Sequence, residues 1–324
     1  MERSAPDSFS RRAARVLPMP AALRPGERVR LVAASSALGD PGRLEQGVAL
    51  LQEWGLEVER PFDPARRWGY LAGSDSQRCA DLQSSAPLLA CVRGGWGSAR
   101  LLEQHLPAHK GWLLGFSDAT SLLWARLTLG VGGGIHGPMV TSLASEPAWS
   151  RERLRALLFG EPLPPLQGES WCGGIAEGPL LVANLTVATH LLGTPFLPPL
   201  AGAVLILEDV GEAPYRIERL LTHWRLCGAL QQLAGLGFGS FEGCDDPVDT
   251  VTGRVADIAA DSAESCEPPA HRFSLEQVLR ERSADLGIPV VGRLPVGHAP
   301  GNAALPLGCR VRLDGAAGQL TLLP

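Results

Sequence analysis

No window of this sequence approaches 18 uninterrupted apolar residues, so no membrane-spanning helix is expected. The start, MERSAPDSFSRRAARVLPMPAALRPG, carries arginines but no apolar core of seven or more residues, which argues against a secretory signal. Beyond the first fifteen residues there is no basic cluster, and the net charge is -5, so the footprint of a nucleic-acid partner is missing. The seven cysteines, at 79, 91, 172, 227, 244, 266 and 309, are odd in number and form no Cys-x-x-C pair. That excludes a zinc knuckle and a disulfide framework, and fits reduced thiols in a cytosolic chain. The acidic segment 242–267 has no EF-hand spacing and reads as a solvated loop. Internal repeats are absent. A cytoplasmic protein without a membrane or nucleic-acid partner is therefore expected.

What is present is a globular composition, 45% hydrophobic and 19% charged, in a chain of 324 residues, long enough for two domains that share an interface. The first half alternates short apolar runs (29–35, 56–61, 88–94, 112–117) with helical periodicity (44–54, 76–82, 99–105). That rhythm predicts an α/β fold whose N-terminal domain is an open, mostly parallel sheet. Ligands bind such sheets at the carboxyl ends of the strands, so the turns AASSALGD, VRGGWGSAR and GFSDAT should share one edge. The expected organisation is a flexible extension over 1–26, an α/β domain over 27–158, a Pro/Gly-rich linker over 159–176 and a β-rich C-terminal domain over 177–324. In the last, strands are expected at 178–186, 202–209, 254–260, 289–297, 309–315 and 318–324, with an amphipathic helix carrying Ile217, Leu220, Leu221, Trp224 and Cys227 on one face.

Ser117 sits where an apolar strand turns into a helix. A serine there is either a helix cap or a nucleophile held at the top of a sheet. The turn VRGGWGS matches neither G-x-G-x-x-G nor the P-loop, but it could aim backbone N–H groups, as an oxyanion hole beside a nucleophile requires. A serine nucleophile also needs a base and an orienting acid. Of the seven histidines, His105, His109, His223 and His271 read as surface residues and His190 as packed on a helix. His136 and His298 stand out at strand ends in Gly/Pro-rich loops, and spacing does not choose between them. Glu208 and Asp209 close an apolar strand and are the candidate acids, with a turn or helix cap as the competing role.

The blocks RGGWGSARLL, LLGFSDATSLL, IHGPM, LLVANLTVATHLLGTP, LILEDVGEAPYRIERLL and GHAPGNAALPLG resemble, in order and approximate spacing, the LD-carboxypeptidase family of serine peptidases, from about residue 27 to the C-terminus. That family includes murein tetrapeptide carboxypeptidases and microcin C self-immunity peptidases. The resemblance implies Ser117 as nucleophile, His298 as base and Glu208 as its orienting acid, with oxyanion donors at the N–H groups of Gly95 and Asp118, shaped by Gly94 and Trp96. His136 then takes a supporting place. The site would lie at the domain interface and need no metal or organic cofactor. The implied reaction releases terminal D-alanine from a murein tetrapeptide in peptidoglycan recycling, by a protein that is a homodimer in many relatives. The alternatives are a self-immunity peptidase cleaving aminoacyl-nucleotides, with Trp171 as the stacking candidate, an α/β-hydrolase-like esterase, and a binding protein for peptidoglycan fragments. Two departures touch the presumed cleft: Val-Ala-Asn at 182–184 where Gly-Gly-Asn is usual, and Trp96 for the commoner tyrosine.

Overall fold

The computed structural model describes residues 12–104, 106–245 and 273–324. The expected strand at 254–260, most of the acidic segment, His105 and His271 lie outside the described residues. In chain order the strands of the first half are β1 (Arg28–Val32), β2 (Glu57–Glu59), β3 (Leu88–Cys91), β4 (Trp112–Gly115) and β5 (Gly134–His136). The remainder are β6 (Leu166–Gln167), β7 (Glu169–Cys172), β8 (Ile175–Asn184), β9 (Val204–Val210), β10 (Gly235–Glu242), β11 (Val290–Gly292), β12 (Leu305–Pro306), β13 (Arg310–Asp314) and β14 (Gln319–Leu322). The helices are α1 (Pro41–Glu53), α2 (Asp75–Asp81), α3 (Thr120–Thr128), α4 (Val140–Leu143), α5 (Ala148–Leu158), α6 (Leu185–Leu191), α7 (Pro214–Leu226) and α8 (Leu275–Ser283).

The first sheet runs β12-β5-β4-β3-β1-β2, and every pair except the β12–β5 edge is parallel. Strands β3 and β4, LLAC and WLLG, are buried along their whole length, as strands covered on both faces must be. The second sheet runs β6-β14-β13-β8-β9-β10-β11-β7, with a parallel centre from β8 to β11 and antiparallel flanks. A two-domain α/β fold with a β-rich second half is thus what the chain adopts.

Helix α3 joins the halves. It is buried on nearly every side, from Thr120 to Leu127, because it lies between the domains. Trp124 meets Trp224 edge to face at 6.3 Å, and its indole N–H donates to the Val182 carbonyl of β8 at 3.0 Å. The Thr120 hydroxyl accepts the Asn184 N–H at 3.1 Å. Asn184 in turn lies beside Glu208 in the parallel register of β8 and β9. The start of α3, and with it Ser117, is therefore fixed relative to the end of β9.

Two segments differ from the sequence expectation. The stretch expected as a linker supplies β6 and β7, which close opposite edges of the second sheet, since Pro/Gly-rich chain suits a short edge strand as well as a loop. Residues 12–26, expected as part of a flexible extension, form a strap that hydrogen-bonds both halves: the Ala14 N–H donates to Ala201 O and that of Leu17 to Gly308 O, while the Leu23 N–H reaches Leu158 O and the Trp112 indole reaches Ala21 O. Periodicity carries no sign of these contacts, because an extended strap has no repeat to detect.

Candidate active site

Ser117 follows β4 at the first residue of a single 3-10 turn that leads into α3. Its φ is +59°, and among the described residues Arg293 is the only other non-glycine in this left-handed region. Such a backbone costs on the order of 1–2 kcal/mol for an L-residue and persists where the surroundings impose it. Neither the 3-10 turn nor α3 is capped by a side chain, and the serine hydroxyl hydrogen-bonds none of the described residues. The capping role left open by the sequence is thereby removed.

Three turns do share one edge of the first sheet. The Ser36 N–H donates to Gly94 O at 3.3 Å, and the Ser36 hydroxyl accepts the Trp96 N–H at 3.1 Å. Asp118 ties the glycine turn to the serine turn: its carboxylate accepts the Ser98 N–H at 2.8 Å and its carbonyl the Ser98 hydroxyl at 2.5 Å. A Cβ on Gly94 would stand 3.0 Å from both Cβ and Oγ of Ser117, so glycine is required for this approach. Sequence reasoning missed Ser36 and Ser98, which carry no motif of their own.

The other half of the site comes from the second domain. Consecutive residues of β9 point to opposite faces, so Glu208 and Asp209 part company. The Asp209 carboxylate accepts the N–H and hydroxyl of Thr186 and the Asn184 side-chain amide, at 2.7 to 2.9 Å, holding the start of α6. Burial pushes its pKa up against these hydrogen bonds. Glu208, fully buried, instead reaches His298: Oε2 lies 2.6 Å from Nδ1. Gly297, at φ +123°, lets the chain pass close enough, since a Cβ there would sit 2.9 Å from Oε2. His136, also fully buried at the end of β5, places Nε2 3.8 Å from Glu208 Oε1, an electrostatic contact rather than a hydrogen bond. Burial opposes the ionised form of Glu208, but the two imidazoles overcome it and hold the carboxyl at about 2. For His298, burial lowers the imidazole, while the hydrogen bond and charge of Glu208 outweigh it and raise the pKa above 6.5.

Ser117 and His298 line one cavity of about 620 Å³, together with Arg93, Gly94, Gly95, Trp96, Phe116 and Met139. The rings of Phe116 and His298 are 4.8 Å apart. Serine and histidine are not hydrogen-bonded to each other here, a looseness common in empty sites. Gly95 lines the cavity and Asp118 lies just behind it, buried. A smaller apolar cavity of about 290 Å³ around Leu106, His109 and Arg126 lies apart from these groups. Trp171 does not reach the cavity; it packs on Phe238 at 5.5 Å under the Arg280 guanidinium. His109, expected at the surface, is half-buried against Ala86 O, and His190 is exposed on α6.

Two sheets that bring a serine and a histidine to one interdomain cavity, with a buried glutamate and a second histidine behind them, define a two-domain α/β protein of hydrolase type. The chain belongs to the LD-carboxypeptidase family: the model of the family's N-terminal domain matches residues 29–137 and that of its C-terminal domain residues 177–313. It is 43% identical to a Synechocystis sp. protein named "Putative carboxypeptidase slr1534", over 94% of this chain and 97% of that one. Identity to the murein tetrapeptide carboxypeptidase of Pseudomonas aeruginosa is 33%, over 89% and 93% respectively. Among solved structures, the muramoyltetrapeptide carboxypeptidase of Oxalobacter formigenes superimposes with a TM-score of 0.73 at 25% identity, covering 90% of this chain and 97% of that one. The microcin C7 self-immunity protein MccF, solved with aspartyl sulfamoyl adenosine, shares the fold (TM-score 0.76, 19% identity, 95% and 98% covered). The chain is accordingly a peptidase of the carboxypeptidase type.

Proposed function

We propose that the protein is a serine LD-carboxypeptidase that releases terminal D-alanine from murein tetrapeptides during peptidoglycan recycling. One observation carries the reading: a fully buried glutamate is hydrogen-bonded to a histidine that shares an interdomain cavity with a serine of strained backbone, whose hydroxyl is free among the described residues. Glu208 on Nδ1 fixes the ring's tautomer, leaving Nε2 to take the proton of Ser117 as its oxygen attacks the carbonyl between an L-centre and the terminal D-residue. The N–H groups of Gly95 and Asp118 hold the developing oxyanion. His298 then passes its proton to the departing amine, and water, activated by the same ring, releases the acyl group.

The tetrapeptide substrate is supported by relatives named for murein peptides in Pseudomonas aeruginosa and Bacillus subtilis. The same reading takes over the family's expectation of a homodimer in the cytoplasm, which light scattering on the purified chain and cell fractionation check. The test of function is D-alanine release from L-Ala-D-Glu-meso-diaminopimelate-D-Ala by wild type and Ser117→Ala in parallel. Release by wild type alone upholds the reading. Release by neither sinks the murein substrate and directs the assay to aminoacyl-nucleotides, and release by both sinks Ser117 as nucleophile.

A further inference from the structure

Two arginines line the cavity beside Ser117. Arg43 is 67% exposed and faces Asp40 at 4.0 Å, so its charge is met and screened by water. Arg93 is different. It is half-buried directly before Gly94 and Gly95, its Nη1 donates to the Ala37 carbonyl at 2.8 Å, and among the described residues no carboxylate lies within ion-pair distance. Of five guanidinium N–H donors, one is used among the described residues. A partly buried cation without a counter-ion is costly to keep in a protein wall, which makes it a good receptor for a ligand's anion.

Its position fits one anion of the substrate. A Cβ on Gly94 would touch Ser117 Oγ at 3.0 Å, and a Cβ on Gly95 would lie 3.6 Å from Arg93 Nη2, so the nucleophile and the guanidinium border adjacent glycines of the same turn, in the same cavity. In a peptide attacked at its last amide, the terminal carboxylate carbon follows the scissile carbon by three bonds, a reach of about 4 Å or less. Resting on the peptidase reading above, we propose that Arg93 is the specificity-determining residue that pairs with the free carboxylate of the departing residue, and so restricts cleavage to the last bond of the chain. A rigid fork of donors suits a carboxylate better than a point charge would.

The competing role is structural, with Arg93 merely holding the Ala37 turn. The two separate in kcat/KM for a pair of tetrapeptides, one ending in free D-alanine and one in D-alaninamide, measured with wild type, Arg93→Ala and Arg93→Lys. Losing a charged partner of this kind costs about 30-fold or more. The expected result is a free-acid rate lowered by about that factor in Arg93→Ala, an amide rate within about threefold of wild type, and an intermediate free-acid rate in Arg93→Lys. Should Arg93→Ala fail to fold, Arg93→Lys carries the comparison, because it keeps charge and stem. Equal losses on both peptides, or an unchanged preference for the free acid, overturn the inference alone. Wild type cleaving neither peptide overturns the peptidase reading, and the inference with it.

Discussion

Glu208→Gln is the substitution with the sharpest expected outcome, because it keeps shape and removes the charge of a fully buried carboxylate paired with His298. On the proposed mechanism, His298 becomes imidazolium in the transition state. A unit negative charge about 4 Å from the ring contributes about 4 kcal/mol at an effective dielectric near 20, and the charged character of the hydrogen bond about 1–2 kcal/mol more. Together that is a loss of roughly 10⁴-fold in kcat/KM. The pH profile should move as well. His298 must be neutral to act as base, and its raised pKa places the acid limb of the wild-type profile above 6.5. With Glu208 neutral, burial is opposed only by the weaker pull of the Asp209 charge, and the limb of the variant falls to lower pH. The assay is D-alanine release from pH 5 to 9 for both proteins, coupled to a D-amino-acid oxidase. A variant within about tenfold of wild type, or one whose acid limb has not moved, would refute the reasoning.

The same pair predicts where the fold is most stable: the imidazole's contribution is complete below 6.5 and lost as pH rises through its raised folded value, and the carboxylate's is complete above 4.5 and lost as pH falls towards about 2. Urea midpoints should accordingly peak between 4.5 and 6.5 in wild type and flatten in Glu208→Gln; an unchanged curve would count against the coupling. Ser117→Gly should abolish turnover yet leave stability equal or raised by up to about 1 kcal/mol, since glycine adopts a φ of +59° without strain; a clear fall in Tm would contradict this. Gly94→Ala should lower kcat by about 100-fold or more with a small change in Tm, because the added methyl crowds Ser117 Oγ, and near-normal activity would show that the turn yields. Asp209→Ala leaves the Asn184 amide and the Thr186 hydroxyl without their partner and should destabilise by about 2–3 kcal/mol in urea unfolding, whereas a loss under about 0.5 kcal/mol would deny it that role.

Local sequence determined a good deal of this protein. Period and punctuation place β1, β3, β4, β9 and α1 within a few residues, because each buries a face that must recur at 2 or 3.6 residues whatever surrounds it. The glycine turn, the serine corner and the carboxylates closing β9 are legible for the same reason: strand ends and tight turns leave marks in composition. Spacing alone did not choose between His136 and His298; only the family resemblance pointed to His298. Both sit in Gly/Pro-rich segments near Glu208, and only the packing of β5 and of the loop after β11 against β9 shows that one ring approaches a carboxylate oxygen at 2.6 Å while the other stays at 3.8 Å, sealed from water. Nor could spacing separate Glu208 from Asp209, since adjacent residues of a strand serve opposite faces and the partners, His298 and Thr186, come from distant parts of the chain. The strap of residues 12–26 and the edge strands β6 and β7 were hidden likewise, as their order comes largely from contacts with distant segments of the chain. Sequence thus set the local conformations and the chemical inventory; tertiary structure decided which acid meets which base, because that depends on distance between strands and leaves no periodic trace.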